Sequence, residues 1–574
     1  MVKGLTVARV PRGDGEGRPS RVSCGRRPQD QEDGGSTRPG RCPAGAHRVG
    51  VSGGCHDGRV LLADVVAAST AVTATRARTA KAAAIADLLR AAAPGEVEPV
   101  TAWLAGEPRQ GRLGVGWRSL DGLTRPDGAD EPAPSLTVAA LDEALTSLAA
   151  TSGPGSAARR EAALTALLAA ATGPEQRFLV RLLTGELRQG ALEGVVLEAV
   201  AAAADVPAAA VRRAFMLTGS LPGTATTALT GGVEALQAAR LQVGRPVRPM
   251  LASPGSSLDA ALADLGTDVT VEFKLDGARI QVHRDGDEVR VWTRTLREVT
   301  DGVPELADRV RALPCRTAVL DGETLALDED GRPRAFQDTM SRFGSDGPHD
   351  SPDAAVLLSP FFFDVLHLDG VDLLDEPLHV RLDALAGLLS ADEHAALRMP
   401  GVRSPAPEGA AQVLEDALAA GHEGVVVKAL DAPYAAGRRG KAWQKVKPVH
   451  TLDLVVLGAE WGYGRRSGSL SNIHLGARDP DGGEPVMVGK TFKGMTDELL
   501  AWQTTTFPGL AREEPSWGVL LRPELVVEVA VDGAQRSTRY PGGLALRFAR
   551  VLRYRPDKTA AEADTLDAVR TLLA

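Results

Sequence analysis

Cysteine is scarce in this chain, with four in 574 residues. That is too few for a disulfide framework in a protein of this size, and it fits a reducing compartment. Cys24, Cys42 and Cys55 lie near His56 in low-complexity sequence, but no C-x-x-C pair occurs, so no zinc site is expected there. Long apolar runs are missing too. Apolar residues make up 44% of the chain and charged ones 24%, yet no uninterrupted apolar stretch approaches the roughly 20 residues of a membrane helix. The N-terminal arginines are not followed by an apolar segment, so neither a secretory leader nor a membrane partner is expected, and the expected location is the cytoplasm. An excess of positive charge is absent as well. With 65 Lys and Arg against 74 Asp and Glu the net charge is -9, which argues against wholesale coating of nucleic acid but allows a local basic face.

The basic residues that are present cluster. One group is "GRRGKAWQKVK", Gly437 to Lys447. The other is the tail, where Arg539, Arg547, Arg550, Arg553, Arg555 and Lys558 face only Asp557 among acids. "GRRGKAW" is not a phosphate-binding P-loop, because G-x-x-x-x-G-K-[ST] needs four residues between its glycines and a hydroxyl after the lysine.

At roughly 150 residues per domain, a chain of this length implies three or four units. Residues 1–58 are rich in Gly, Arg, Pro and Ser without hydrophobic periodicity, and read as disordered or as an extension from a misplaced start codon. Residues 59–241 are Ala/Leu-rich with helical spacing broken by Gly and Pro, which predicts an all-α unit. Within it "LAGEPRQGRLGVG" (Leu104 to Gly116) recurs as "LTGELRQGALEGV" (Leu183 to Val195), 79 residues later. Such a repeat predicts two similar helical halves, each with a turn that either receives a phosphate at a helix start or simply caps a helix. Residues 246–448 change to short alternating strands such as "VTVEFKL", "ARIQVHR" and "EVRVWTR", with turn dipeptides between them, which predicts an α+β unit. Residues 449–574 carry further short strands and a final helix, the pattern of a small β-barrel with an OB-fold as the leading candidate.

The chemistry concentrates in K-x-D-G-x-R, formed by Lys274, Asp276, Gly277 and Arg279 where a strand is about to turn. A lysine is a nucleophile only when its amine is neutral, which burial and neighbouring cations promote. Taken alone the motif also suits a solvated lysine at a strand end. The motifs downstream of it are decisive: Arg294 at the end of the next strand, "LDGE" (Leu320 to Glu323), "FFFDVLHLDG", "EGVVVK" (Glu423 to Lys428) and "WQKVK" (Trp443 to Lys447), in that order.

This series resembles that of the covalent nucleotidyltransferases, and in particular the ATP-dependent DNA ligases of the actinobacterial type, over residues 60–574. The resemblance implies a multidomain protein with an all-α DNA-binding domain, an α+β adenylyltransferase domain and an OB-fold. It implies that Lys274 attacks the α-phosphate of ATP and holds AMP through a P–N bond. Glu272 is implied to recognise the adenine amino group and Phe363 to stack on the base, with Phe361 and Phe362 left to the core. Arg279 and Arg294 are implied contacts of ribose and phosphates, Arg294 also of the 5'-phosphate at the nick; Glu323 is implied at the ribose and metal site, with Glu423 as its partner for Mg²⁺. Lys445 and Lys447 would hold the α-phosphate, and Arg439, or Arg438 in its place, would touch ATP. Arg550, Arg555, Asp557 and Lys558 resemble the motif that orients the departing pyrophosphate. The implied partner is nicked double-stranded DNA, met as a monomer, in repair, recombination or replication.

An RNA ligase or an mRNA-capping guanylyltransferase would share the lysine chemistry, but the helical unit suits a protein that grips a duplex. An NAD-dependent ligase is disfavoured because the tail lacks that family's cysteine cluster. A non-catalytic DNA-binding protein with a decayed ligase domain is disfavoured because the lysine, carboxylates and cations are all in place.

Overall fold

The computed structural model describes residues 59–111, 113–120, 122–124, 132–187, 189, 193–334, 336–344, 357–435, 440–463 and 466–573. The N-terminal stretch expected to be disordered, 1–58, lies outside the described residues, and so do Arg438 and Arg439.

Among the described residues ten helices occupy the stretch from Leu62 to Gln237. Their ends reflect local chemistry. Helix Gly173–Leu183 starts at a capping box, in which the Thr172 N–H donates to Glu175 Oε2 at 2.7 Å and the Thr172 hydroxyl accepts from the Glu175 N–H, with Pro174 in the first turn. Its apolar face, Phe178, Leu179 and Leu182, enters a core shared with Trp103, Leu141 and Val196. The two copies of the sequence repeat meet. The Gln189 side-chain amide donates to the Leu104 carbonyl at 2.6 Å, and a Cβ on Gly106 would stand 3.3 Å from the Leu187 carbonyl oxygen. Gly106 and Gly185, equivalent in the repeat, both adopt positive φ, at 103° and 72°.

The chain then runs along the next layer. Gln281 receives the Val247 N–H at 2.7 Å and returns a bond to the Val247 carbonyl at 3.1 Å. Two five-stranded sheets come next. The first orders its strands as Ser253–Pro254, Trp443–Val446, Gly424–Ala429, Val269–Lys274 and Gly401–Arg403. The second is antiparallel, in the order Glu288–Thr293, Ala278–Asp285, Thr317–Ala326, Leu358–Leu368 and Val371–Asp372. Helices Pro304–Arg311 and Leu378–Leu388 cover the second sheet over Val282, Leu320 and Val365.

The strand that ends at Lys274 belongs to the first sheet and the strand that begins at Ala278 to the second. Leu275, Asp276 and Gly277 are therefore the crossing between the two. Gly277 is there for space: a Cβ would lie 2.4 Å from the Thr324 carbonyl oxygen, closer than real contacts permit.

Beyond Lys447, strand His450–Trp461 is the centre of a seven-stranded sheet. It pairs with Leu470–Ala477 on one side and with both Gly518–Leu521 and Val526–Val531 on the other, because register shifts at Val456/Gly458 and Glu460/Trp461 bend it from one partner to the next. Among the described residues this pairing branches without closing into a ring, and a separate hairpin, Gly533–Arg536 with Leu544–Arg547, lies beside it. No described helix is long and apolar enough to cross a membrane.

Candidate nucleotide site between two sheets

The crossing at Lys274 opens onto a cavity of about 610 Å³ walled by both five-stranded sheets. The lining includes Glu272, Lys274, Arg279, Arg294, Glu323, Phe363 and Lys445, seven residues singled out from the sequence. Pairing explains how they converge. Lys274 stands opposite Gly424, so the Glu423 N–H donates to the Lys274 carbonyl at 3.0 Å and the Glu423 carboxylate forms an ion pair with the Lys274 ammonium. Arg279 stands directly opposite Glu323 in the second sheet. Lys445 lies on the strand Trp443–Val446 and Lys447 just past its end, with Lys447 Nζ 3.9 Å from Glu423 Oε2.

The floor is aromatic. Phe363 meets Trp443 edge to face at 5.9 Å, and the guanidinium of Arg279 and the ammonium of Lys428 both lie over these rings, Lys428 at 4.3 and 4.5 Å from their centroids. Lys428 is buried and pairs with buried Glu272 at 2.5 Å. Burial raises the Glu272 carboxyl, with Lys428 opposing. Glu323 is pushed up to about 7 by burial, against the pull of Lys274 and Arg279. Lys445 is pushed down by burial and by Lys274 and Lys447 beside it. A cavity with an aromatic floor and a rim of cations suits a flat base carrying phosphates.

Family descriptions match in chain order: "DNA ligase N terminus" over residues 123–201, "ATP dependent DNA ligase domain" over 249–447 and "ATP dependent DNA ligase C terminal region" over 466–558. A "Probable DNA ligase" of Rhodococcus jostii is 64% identical, and the match covers 90% of this chain and all of that protein. The chain belongs to the ATP-dependent DNA ligases. A "Probable DNA ligase" of Saccharopolyspora erythraea is 63% identical over 89% of this ligase and 98% of its own length. In fold the ligase is also similar to a solved structure called "Pmar-Lig_PreS3", with a TM-score of 0.55 at 17% identity, covering 86% of this chain and 99% of that one.

Not every residue read from the ligase sequence comes to the cavity. Arg555 binds Asp453 at 2.9 Å and Asp557 at 2.7 Å, and Lys558 binds Asp453 at 2.6 Å, all within the C-terminal sheet region. Arg550 is an exposed residue at the start of the strand Arg550–Tyr554. Arg439 falls outside the described residues. Sequence reasoning missed one residue that lines the cavity, Lys428, and three that pair with groups at the crossing or around the cavity. Arg547, from the C-terminal hairpin, clasps Asp276 and stands 3.8 Å from Glu423, while Asp532, just before that hairpin, binds Lys447 at 2.5 Å. Lys428 and Asp321 complete the set, Asp321 as the buried partner of Arg279 at 2.6 Å. The only sequence signal for Arg547 was its place in the basic tail; Lys428 closes "EGVVVK" and reads there as one end of an apolar strand.

Proposed function

We propose that this ligase seals nicks in duplex DNA in three steps. Lys274 Nζ, having given up a proton, attacks the α-phosphorus of ATP; a P–N bond forms, a P–O bond breaks and pyrophosphate leaves. The 5'-phosphate at the nick then takes AMP from the lysine, and the 3'-hydroxyl displaces AMP to close the strand. What supports this is the meeting, at one sheet crossing, of Lys274, an aromatic floor and the cations Arg279, Arg294, Lys445 and Lys447. In this reading Phe363 carries the base, Glu272 accepts from the adenine amino group, and Lys445 and Lys447 hold the α-phosphate.

The donor chemistry of Glu323 and Glu423 fits Mg²⁺, a hard cation that is held by one or two carboxylates together with substrate phosphates. When bound it would neutralise phosphate oxygens. Arg555 and Lys558 are proposed to meet the departing pyrophosphate, with Arg550 and Asp557 beside them. Residues 59–241 are read as the duplex-gripping domain, 246–448 as the adenylyltransferase domain and 449–574 as an OB-fold domain, in support of which the bulged strand His450–Trp461 pairs with three neighbours in a sheet of short strands.

Incubating the purified chain with α-labelled ATP and then with a singly nicked duplex tests the reading. The expected result is a labelled protein band that is chased by nicked DNA and lost on sealing; labelling by NAD or GTP in preference to ATP would sink it.

A further inference from the structure

Three chain segments that line or support the cavity meet at one phenol, that of Tyr434. Its ring is buried at 2% exposure and stands edge to face against Trp443 at 6.0 Å. Its hydroxyl donates to Asp321 Oδ2 at 2.6 Å and accepts from the Met250 N–H at 3.0 Å and from Arg279 Nη2 at 3.4 Å. One donor and two acceptor sites are all a phenol has, so the group is fully used. Asp321, 1% exposed, also receives Arg279 Nε at 3.0 Å and Nη2 at 2.6 Å, and the Met250 carbonyl receives Arg279 Nη1 at 2.6 Å. Of the five N–H groups of the guanidinium, these bonds engage four and leave one on Nη1. Arg279 is thus braced before any ligand arrives, with its flat face over Phe363 at 5.3 Å and Trp443 at 5.9 Å.

We propose that Tyr434 is a positioning residue for the nucleotide: through Asp321 and the Met250 backbone it fixes the Arg279 guanidinium against the aromatic floor, and so sets the affinity for ATP rather than the rate of bond making. The proposal rests on the reading of the cavity as the ATP site. The protonation states agree with it. Burial and the neighbouring Asp321 carboxylate push the Tyr434 phenol up, so its proton stays available to that carboxylate. Burial works against the charge of Arg279, and Asp321 outweighs it. A residue that only filled space would need the ring and not the hydroxyl.

The test is the initial rate of adduct formation by the full chain as a function of α-labelled ATP. Tyr434→Phe keeps the ring and removes the hydroxyl, leaving the Met250 N–H, one Arg279 N–H and part of the Asp321 carboxylate without that partner; it should raise the KM for ATP about tenfold and leave kcat within about twofold. Arg279→Lys loses the fork and should raise KM by a similar factor. If Tyr434 acts through Arg279, adding Tyr434→Phe to Arg279→Lys should change nothing further. A full additional rise in the double variant, or a fall in kcat at saturating ATP with KM unchanged, overturns the proposal. A wild-type chain that takes no label from ATP overturns the site reading and this proposal with it. Should Tyr434→Phe fail to fold, 3-fluorotyrosine offers a gentler probe, since the chain has four tyrosines. The Tyr434 resonance, assigned by replacing Tyr463, Tyr540 and Tyr554 with Phe in turn, should shift when ATP is added and stay still in Arg279→Lys. A resonance indifferent to ATP in the unmutated background counts against the proposal.

Discussion

Arg547 holds Asp276 with both ends of its guanidinium, Nη1 to Oδ2 at 2.5 Å and Nη2 to Oδ1 at 3.1 Å, across 271 residues of sequence. Asp276 sits two residues after Lys274, and both partners are mostly buried. The pair ties the C-terminal hairpin to the crossing that carries Lys274. Replacing either partner by alanine should slow sealing of a pre-adenylylated nick about tenfold, and the double variant should be hardly worse than either single one, because both remove the same contact. Single-turnover sealing rates for the four proteins check this; additive losses would mean that the two residues act separately.

Lys274→Ala should abolish the labelled adduct while retaining part of the sealing of DNA that already bears AMP, since the last step makes no use of the amine. Denaturing gels after labelling report the first outcome and product strands the second. A variant that still takes label moves the nucleophile elsewhere.

Glu323 makes stability depend on pH. In the folded chain its carboxyl is raised to about 7 from the ordinary 4.5, with burial as the main cause. The folded state therefore keeps a proton that the unfolded chain has already released, so the contribution is fully present below pH 4.5 and is lost as the pH rises towards 7. Glu323→Gln cannot ionise and escapes that loss. Thermal melts of both proteins should show the variant gaining on the wild type across this window and holding a constant lead above it. A difference that does not change with pH would contradict the assignment.

In the proposed reaction the tail cations would serve one step and not the next. Pyrophosphate gathers negative charge as it leaves, whereas transfer of AMP to DNA expels none. Arg555→Ala with Lys558→Ala should therefore slow adduct formation far more than sealing of pre-adenylylated DNA. Both residues bind Asp453 in the structure, at 2.9 and 2.6 Å. If the double variant labels at the wild-type rate and fails only at sealing, the tail belongs to the DNA interface instead.

Much of the site could be read from the sequence because its parts are local. Lys274, Asp276, Gly277 and Arg279 lie within six positions, and the turn they announce is the crossing between sheets. Glu323, Phe363 and Lys445 were legible through the order of strand-end motifs. The rest depends on distant packing. Arg547 gains its contact only when the C-terminal hairpin docks, and nothing in "LALRFARVLRYR" distinguishes it from Arg550 or Arg553. Lys428 ends a run of valines and looks like a strand end meeting solvent, yet it is 3% exposed because Glu272 comes in beside it. Tyr434 lies in a loop without periodicity, so its burial has no sequence signature. The strand spacing announces a barrel, yet among the described residues the sheet does not close, and one bulged strand instead shares itself among three partners.

The crossing at Leu275, Asp276 and Gly277 gives the motif's spacing a mechanical meaning. Lys274 and Arg279 stand on different sheets, and the chain between them can span at most about 3.5 Å per residue. The count of residues in K-x-D-G-x-R is thus a ruler for the gap between the two walls of the cavity. An inserted residue would loosen the ruler without disturbing either sheet, and a deleted one would pull the walls together onto the cavity between them. The motif's length is as much a part of the site as the groups it carries.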